Sequence, residues 1–159
     1  MPQPQPPKYC LTRDLPGERS RPGSSPRGAW HGRDLPDDLK APDKWRESEA
    51  WLFSVDLWNG GFVWESWEVW EGLWRMARAG NPIQAKFLQG LVMLAGSRVH
   101  HDRGGAESEE SLFRTGVLQL RSVRQEAGPE FMGVELDAFV AALESGRDRA
   151  DIHLGLTTG

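Results

Sequence analysis

The chain has 159 residues, 26% of them charged, and a formal net charge of −4 at pH 7, a length that supports one domain with a core able to fold unaided. Charge is uneven: residues 1–46 hold nine Lys/Arg against six Asp/Glu, and residues 47–159 hold ten against seventeen, which argues against a nucleic-acid partner because phosphate neutralisation needs a concentrated basic face. Cys10 is the only cysteine, which excludes an internal disulfide and a cysteine metal cluster and fits a reducing compartment.

Nine of the eleven prolines lie at or before Pro42, with Gly, Ser and Arg between them. Residues 1–43 are therefore expected to run as an extended arm without regular structure. Arg13-Asp14-Leu15-Pro16 recurs as Arg33-Asp34-Leu35-Pro36, too short and too few for a repeat architecture. Tyr9, Leu11, Leu15, Trp30 and Leu35 are the side chains able to pin the arm to a domain. No apolar run follows Lys8 and Arg13, so no secretory signal is visible and a cytoplasmic location is the expectation.

From Trp45 onward the pattern is helical. The spacing predicts a first helix over residues 47–57, closed by Asn59-Gly60-Gly61, a strong stop signal. A second is predicted over 62–78, ended by Gly80-Asn81-Pro82. Pro82 suits the first turn of a third helix, to about residue 102 and Gly104-Gly105. Its most apolar part, 87–99, is interrupted by Gln89 and Arg98 and is too short to span a bilayer. A fourth helix is predicted over about 106–126, with Leu112, Phe113, Gly116, Val117, Leu120 and Val123 on one face. Gly128-Pro129 breaks it, and a fifth runs over about 136–145. No segment alternates like a strand. The fold class is all-α, a bundle of about five helices spanning residues 44–145, with the arm before it and a loose tail over 146–159.

The second helix is the most informative segment. It carries four of the eight tryptophans, at 64, 67, 70 and 74, with Glu65, Glu68 and Glu71 between them; Trp buries a large area, whereas Glu resists burial unless partnered. At about 100° per residue, Trp67, Val69, Trp70, Leu73 and Trp74 fall on a broad core face. Glu65, Glu68, Glu71 and Arg75 fall on the opposite half, with Glu71 and Arg75 spaced as an i,i+4 pair. Trp64 is the exception, sitting among the acids, so the arm or another subunit is expected to cover it. On the third helix, which is apolar around most of its circumference, Gln89 and His100 share a polar line. A facing row of carboxylates would satisfy such a line. Carboxylates three apart with a facing histidine (Glu65, Glu68 and His100) are also a ligand set that bundle cores use for divalent metals. No nucleophile elbow and no phosphate-cradling glycine loop are present.

Asn59-Gly60-Gly61-Phe62 followed by Trp64-Glu65-Ser66-Trp67-Glu68-Val69-Trp70-Glu71-Gly72-Leu73-Trp74, together with Phe87-Leu88-Gln89-Gly90-Leu91 and with His100 followed by Gly104, resembles the signature of a bacterial and archaeal family called domain of unknown function 309. The resemblance covers about residues 45–143. It implies a domain of five to six helices, marks Glu65, Glu68, Glu71, Gln89 and His100 as its polar positions, and brings no activity with it. The family usually has Glu-Ala-His-Glu where this chain has Glu65-Ser66-Trp67-Glu68. Trp67 thus stands at the usual histidine position, and an indole can only donate a hydrogen bond.

Two functions compete on these grounds. One is a binding or interaction module, in which Trp64, Glu65, Glu68, Glu71, Gln89 and His100 line a pocket for a small cationic or polar ligand, or exposed tryptophans dock a protein partner or a second copy. The other is a metal-dependent, hydrolytic enzyme with a glutamate as general base. The expectation is binding without a resident cofactor, and neither nucleic acid nor membrane as partner.

Overall fold

The computed structural model describes residues 7–15, 35–102, 106–145 and 152–157. Five helices follow a 3-10 turn at Pro42–Glu47: α1 Glu49–Asn59, α2 Val63–Ala77, α3 Pro82–Asp102, α4 Ala106–Ala127 and α5 Leu136–Ser145. Two strands of two residues each, β1 Glu130–Phe131 and β2 Val134–Glu135, form an antiparallel hairpin between α4 and α5. The protein is all-α apart from this hairpin. The most extensive helix–helix interface joins α3 to α4, followed by α2 to α3 and α1 to α2.

Helix α1 starts where side chains satisfy its unpaired backbone N–H groups. The Ser48 hydroxyl accepts from the Trp51 N–H at 3.0 Å. The Asp38 carboxylate accepts from Glu49 and Ala50 at 2.9 and 2.7 Å. Three of the four orphan donors of the first turn are thereby taken. The helix stops at Gly60-Gly61, where Gly61 has φ 86°, the left-handed conformation of a helix C-terminus.

Sequence patterning singles out α3 as the central helix, yet α1 is the more enclosed: every residue from Ala50 to Asn59 except Leu52 is buried. The reason lies in the flanking segments. Tyr9 and Cys10 donate their backbone N–H groups to the two oxygens of Asp56 at 2.8 and 2.9 Å, and Leu15 packs on Gly60. From the other terminus, the Asn59 amide donates to the Leu154 carbonyl at 3.0 Å and accepts from its N–H at 2.7 Å. Trp58 donates its indole N–H to the Ile152 carbonyl at 2.9 Å, and Leu156 N–H donates to the Tyr9 hydroxyl oxygen at 2.9 Å. Cys10, Leu154 and Leu156 belong to the buried core.

The expected loose tail is therefore corrected over residues 152–157, which form backbone bonds a composition-based reading cannot see. Packing also extends beyond the 44–145 expected of the domain. Residues 7–15 and 35–41 have no helix or strand but are tied to α1 at both ends. Trp30, expected to pin the arm, lies outside the described residues, as do Gly104 and Gly105.

The hairpin turns at Met132-Gly133, with φ 47° and 81°. Positive φ at both central residues is what a tight two-residue hairpin needs. A Cβ on Gly133 would lie 2.6 Å from the Trp45 ring, so the turn and that indole are mutually fitted. Trp51 donates its indole N–H to the Met132 carbonyl at 3.1 Å, and Leu156 bridges Val134. The hairpin was hidden in sequence because two-residue strands show no alternation.

Candidate functional site

Helix α2 places its polar row differently from the wheel. Val69, Trp70, Leu73 and Ala77 form the buried stripe together with Glu65 and Ser66, and Glu65 is only 2% exposed. The correction is geometric. Glu65 precedes Val69 and Leu73 by four and eight residues, so it shares their edge of the helix. It takes part in an interaction within the protein. Trp67 and Trp74, expected on the core face, lie on the other edge and are half-buried against the core, because the buried stripe is narrower than the expected face.

The other acids are engaged within their own helix. Trp64 donates its indole N–H to Glu68 at 3.1 Å, and Arg75 pairs with Glu71. Trp64 is half-buried, with its ring 5.1 Å from that of Trp67. Trp67 in turn directs its indole nitrogen toward Gly96 of α3, where a Cβ would stand 3.9 Å away. The Trp67 indole thus packs against the facing helix.

Gln89 is met by α4 rather than by the carboxylates of α2: Gln119 donates its amide N–H to Gln89 Oε1 at 2.8 Å. His100 is exposed. Among the described residues no three His, Cys, Asp or Glu side chains stand together as a metal could require, so Glu65, Glu68 and His100 are not assembled into a ligand set.

The structure instead brings Gln89 into an open groove of about 740 Å³ where α2, α3 and α4 meet. Trp74 and Arg78 come from the end of α2, Lys86 and Gln89 from α3, and Gln119 and Ser122 from α4. Local geometry explains their placement. Asn81 caps α3 by accepting the Gln84 N–H at 2.9 Å, so the chain turns sharply and lays the end of α2 beside the start of α3. Gly90 and Gly116 then let α3 and α4 approach: a Cβ on Gly116 would lie 3.0 Å from the Gly90 carbonyl oxygen.

Arg78 lies over the Trp74 ring, 4.9 Å from its centroid, a cation–π contact. Lys86 donates to Ser122 at 3.1 Å and to Glu126 at 2.8 Å. Leu118, 56% exposed, forms part of the wall. Sequence reasoning missed Arg78, Lys86 as a groove residue, and Gln119. The available signal for Gln119 was its place one residue from Leu120 and three from Gly116 on the fourth helix, at the edge of the apolar face.

Asp56 was missed as well, although a carboxylate between Val55 and Leu57 in an otherwise buried helix is a signal. Burial pushes its carboxyl above the ordinary carboxylate range, against the N–H bonds from Tyr9 and Cys10 and the charge of Lys8. Its role is to hold the N-terminal segment.

The arrangement is that of a small all-α domain with an enclosed first helix and a polar groove beside the close α3–α4 contact at Gly90 and Gly116. Residues 52–112 match the model of the family described as Domain of unknown function (DUF309), and this segment, from α1 into α4, belongs to that family. No curated protein and no solved structure matches the chain. The matched segment holds the α2 and α3 side of the groove, whereas Thr115, Leu118, Gln119 and Ser122 lie beyond it. No helix among the described residues is long and apolar enough to cross a membrane.

Proposed function

We propose that the protein is a binding module and that its ligand seats in the α2–α3–α4 groove. The observation that supports this reading is the Gln89–Gln119 pair. Each amide has two donor hydrogens and two acceptor lone pairs. Their mutual bond leaves one amide NH₂ and one carbonyl oxygen for a ligand, whichever way the two amides are turned. These groups are half-buried beside an indole and an aliphatic wall, the mixture of apolar surface and few placed polar groups found in ligand sites. The reading moves the binding surface from the α2 acids to the groove, because Glu68 and Glu71 already have partners on their own helix.

The test is a fragment screen by NMR on the full-length protein, following the Trp74 indole and the Gln89 and Gln119 side-chain amides. Hits are expected to converge on these signals and to be lost in Gln119→Leu, with unchanged thermal stability. Hits confined to other surfaces would overturn the assignment.

A further inference from the structure

We infer that the groove selects a ligand bearing a carboxylate next to a secondary amide, with Arg78 as partner of the anion and the Gln89–Gln119 pair as reader of the amide. This rests on the groove being the binding site and adds the class of ligand.

The argument starts from unbalanced donors. The Arg78 guanidinium has five N–H donors and a permanent charge, and among the described residues it rests on the Trp74 ring rather than on a carboxylate. Stacking at 4.9 Å restrains the side chain at the groove, which lowers the ordering cost of gripping an anion. Lys86 does not compete for that role, since Glu126 neutralises it at 2.8 Å. The Trp74 indole N–H, a donor only, has no acceptor among the described residues. The Thr115 hydroxyl is used internally, donating to the Ser111 carbonyl at 2.9 Å.

The groove therefore offers a cation and surplus N–H donors, and a carboxylate answers both, because guanidinium–carboxylate pairs are charge-assisted and can be bidentate. The amide pair offers one donor and one acceptor, the complement of a peptide group, which carries one N–H and one C=O. Leu118 and Trp74 supply an apolar wall suited to an aliphatic side chain. A free N-acylamino acid has this chemistry, and so has the C-terminal residue of a peptide.

The test uses full-length protein and three probes in NMR titrations: N-acetyl-leucine, N-acetyl-leucine amide, and the longer N-acetyl-Ala-Ala-Leu. N-acetyl-leucine is expected to shift the Trp74, Gln89 and Gln119 signals saturably. The neutral amide should bind about tenfold more weakly, the discrimination expected of one partly exposed charge-assisted pair. Arg78→Gln should erase that difference while leaving the thermal midpoint in place, and Arg78→Lys should restore part of it. Tighter binding of the longer probe supports a peptide C-terminus, and equal binding supports a free acylamino acid. Equal binding of the charged and neutral probes at these signals would overturn the carboxylate assignment and leave the groove as a binding site. If none of the three probes shifts these signals although fragments do, this inference again falls alone; if fragments fail there too, both readings fall.

Discussion

Asp56 is the joint between the N-terminal segment and α1, and its replacement has a calculable outcome. The side chain is 3% exposed and accepts two backbone N–H groups, from Tyr9 and Cys10. Hydrogen bonds to a charged group contribute about 1.5–3 kcal/mol each, so Asp56→Ala forfeits roughly 3–6 kcal/mol in gross terms. Part is returned because a desolvated carboxylate is no longer buried, and a net loss of about 2–4 kcal/mol is expected. Asp56→Asn should cost less, since the amide oxygen still accepts from one of the two donors. Burial raises the folded-state pKa of Asp56 above its ordinary value, so folding disfavours the charged form relative to the unfolded chain. The titration's contribution to stability is fully present below the unfolded value and is lost as pH rises through the folded one. Wild-type stability relative to Asp56→Asn should accordingly decline as pH rises from about 4 and then level off. Urea unfolding followed by tryptophan fluorescence measures both effects, and hydrogen exchange at the Tyr9 and Cys10 amides reports the joint directly. Unchanged unfolding midpoints together with unchanged exchange at those amides in Asp56→Ala would refute the reasoning.

Two further substitutions test the core and the α2 acids. Trp70 is 1% exposed and donates to Ser54 Oγ at 2.7 Å; Trp70→Ala should lower stability by about 3–5 kcal/mol in urea denaturation, and an unchanged midpoint would contradict its placement. Glu68→Gln removes only the charge facing the Trp64 indole, so a loss of about 0.5 kcal/mol or less is expected. Elemental analysis showing stoichiometric zinc, manganese or iron in the wild type, absent in this variant, would restore the metal reading.

The helices were legible because their punctuation is local. Asn59-Gly60-Gly61, Asn81-Pro82 and Gly128-Pro129 each change the backbone preference within two or three residues, and the observed bounds fall beside them. The two terminal straps, residues 7–15 and 152–157, were not legible. Their bonds run between backbone groups and side chains more than forty residues apart, as from Tyr9 to Asp56 and from Leu154 to Asn59, and such pairings leave no period in the chain. Asn59 illustrates the difference. Its turn chemistry marks the end of α1, but its amide also completes a two-point bond to the C-terminal segment, which no local rule contains.

The same distinction bears on the site. The polar positions of α2 were read from spacing, yet spacing gives only the direction in which a side chain leaves its helix, and its occupation is decided by neighbours. Glu68 and Glu71 have donors four residues away on the same helix, at Trp64 and Arg75, and those local partners require no ligand. Trp67 then fills the space toward Gly96 with a group that has one donor and no acceptor. Outward-facing hydrogen-bonding capacity gathers one helix end away, where Gln89 meets Gln119 and Arg78 rests on Trp74. The local engagement of the α2 acids and the composition of the groove are the two observations on which the proposed binding role rests.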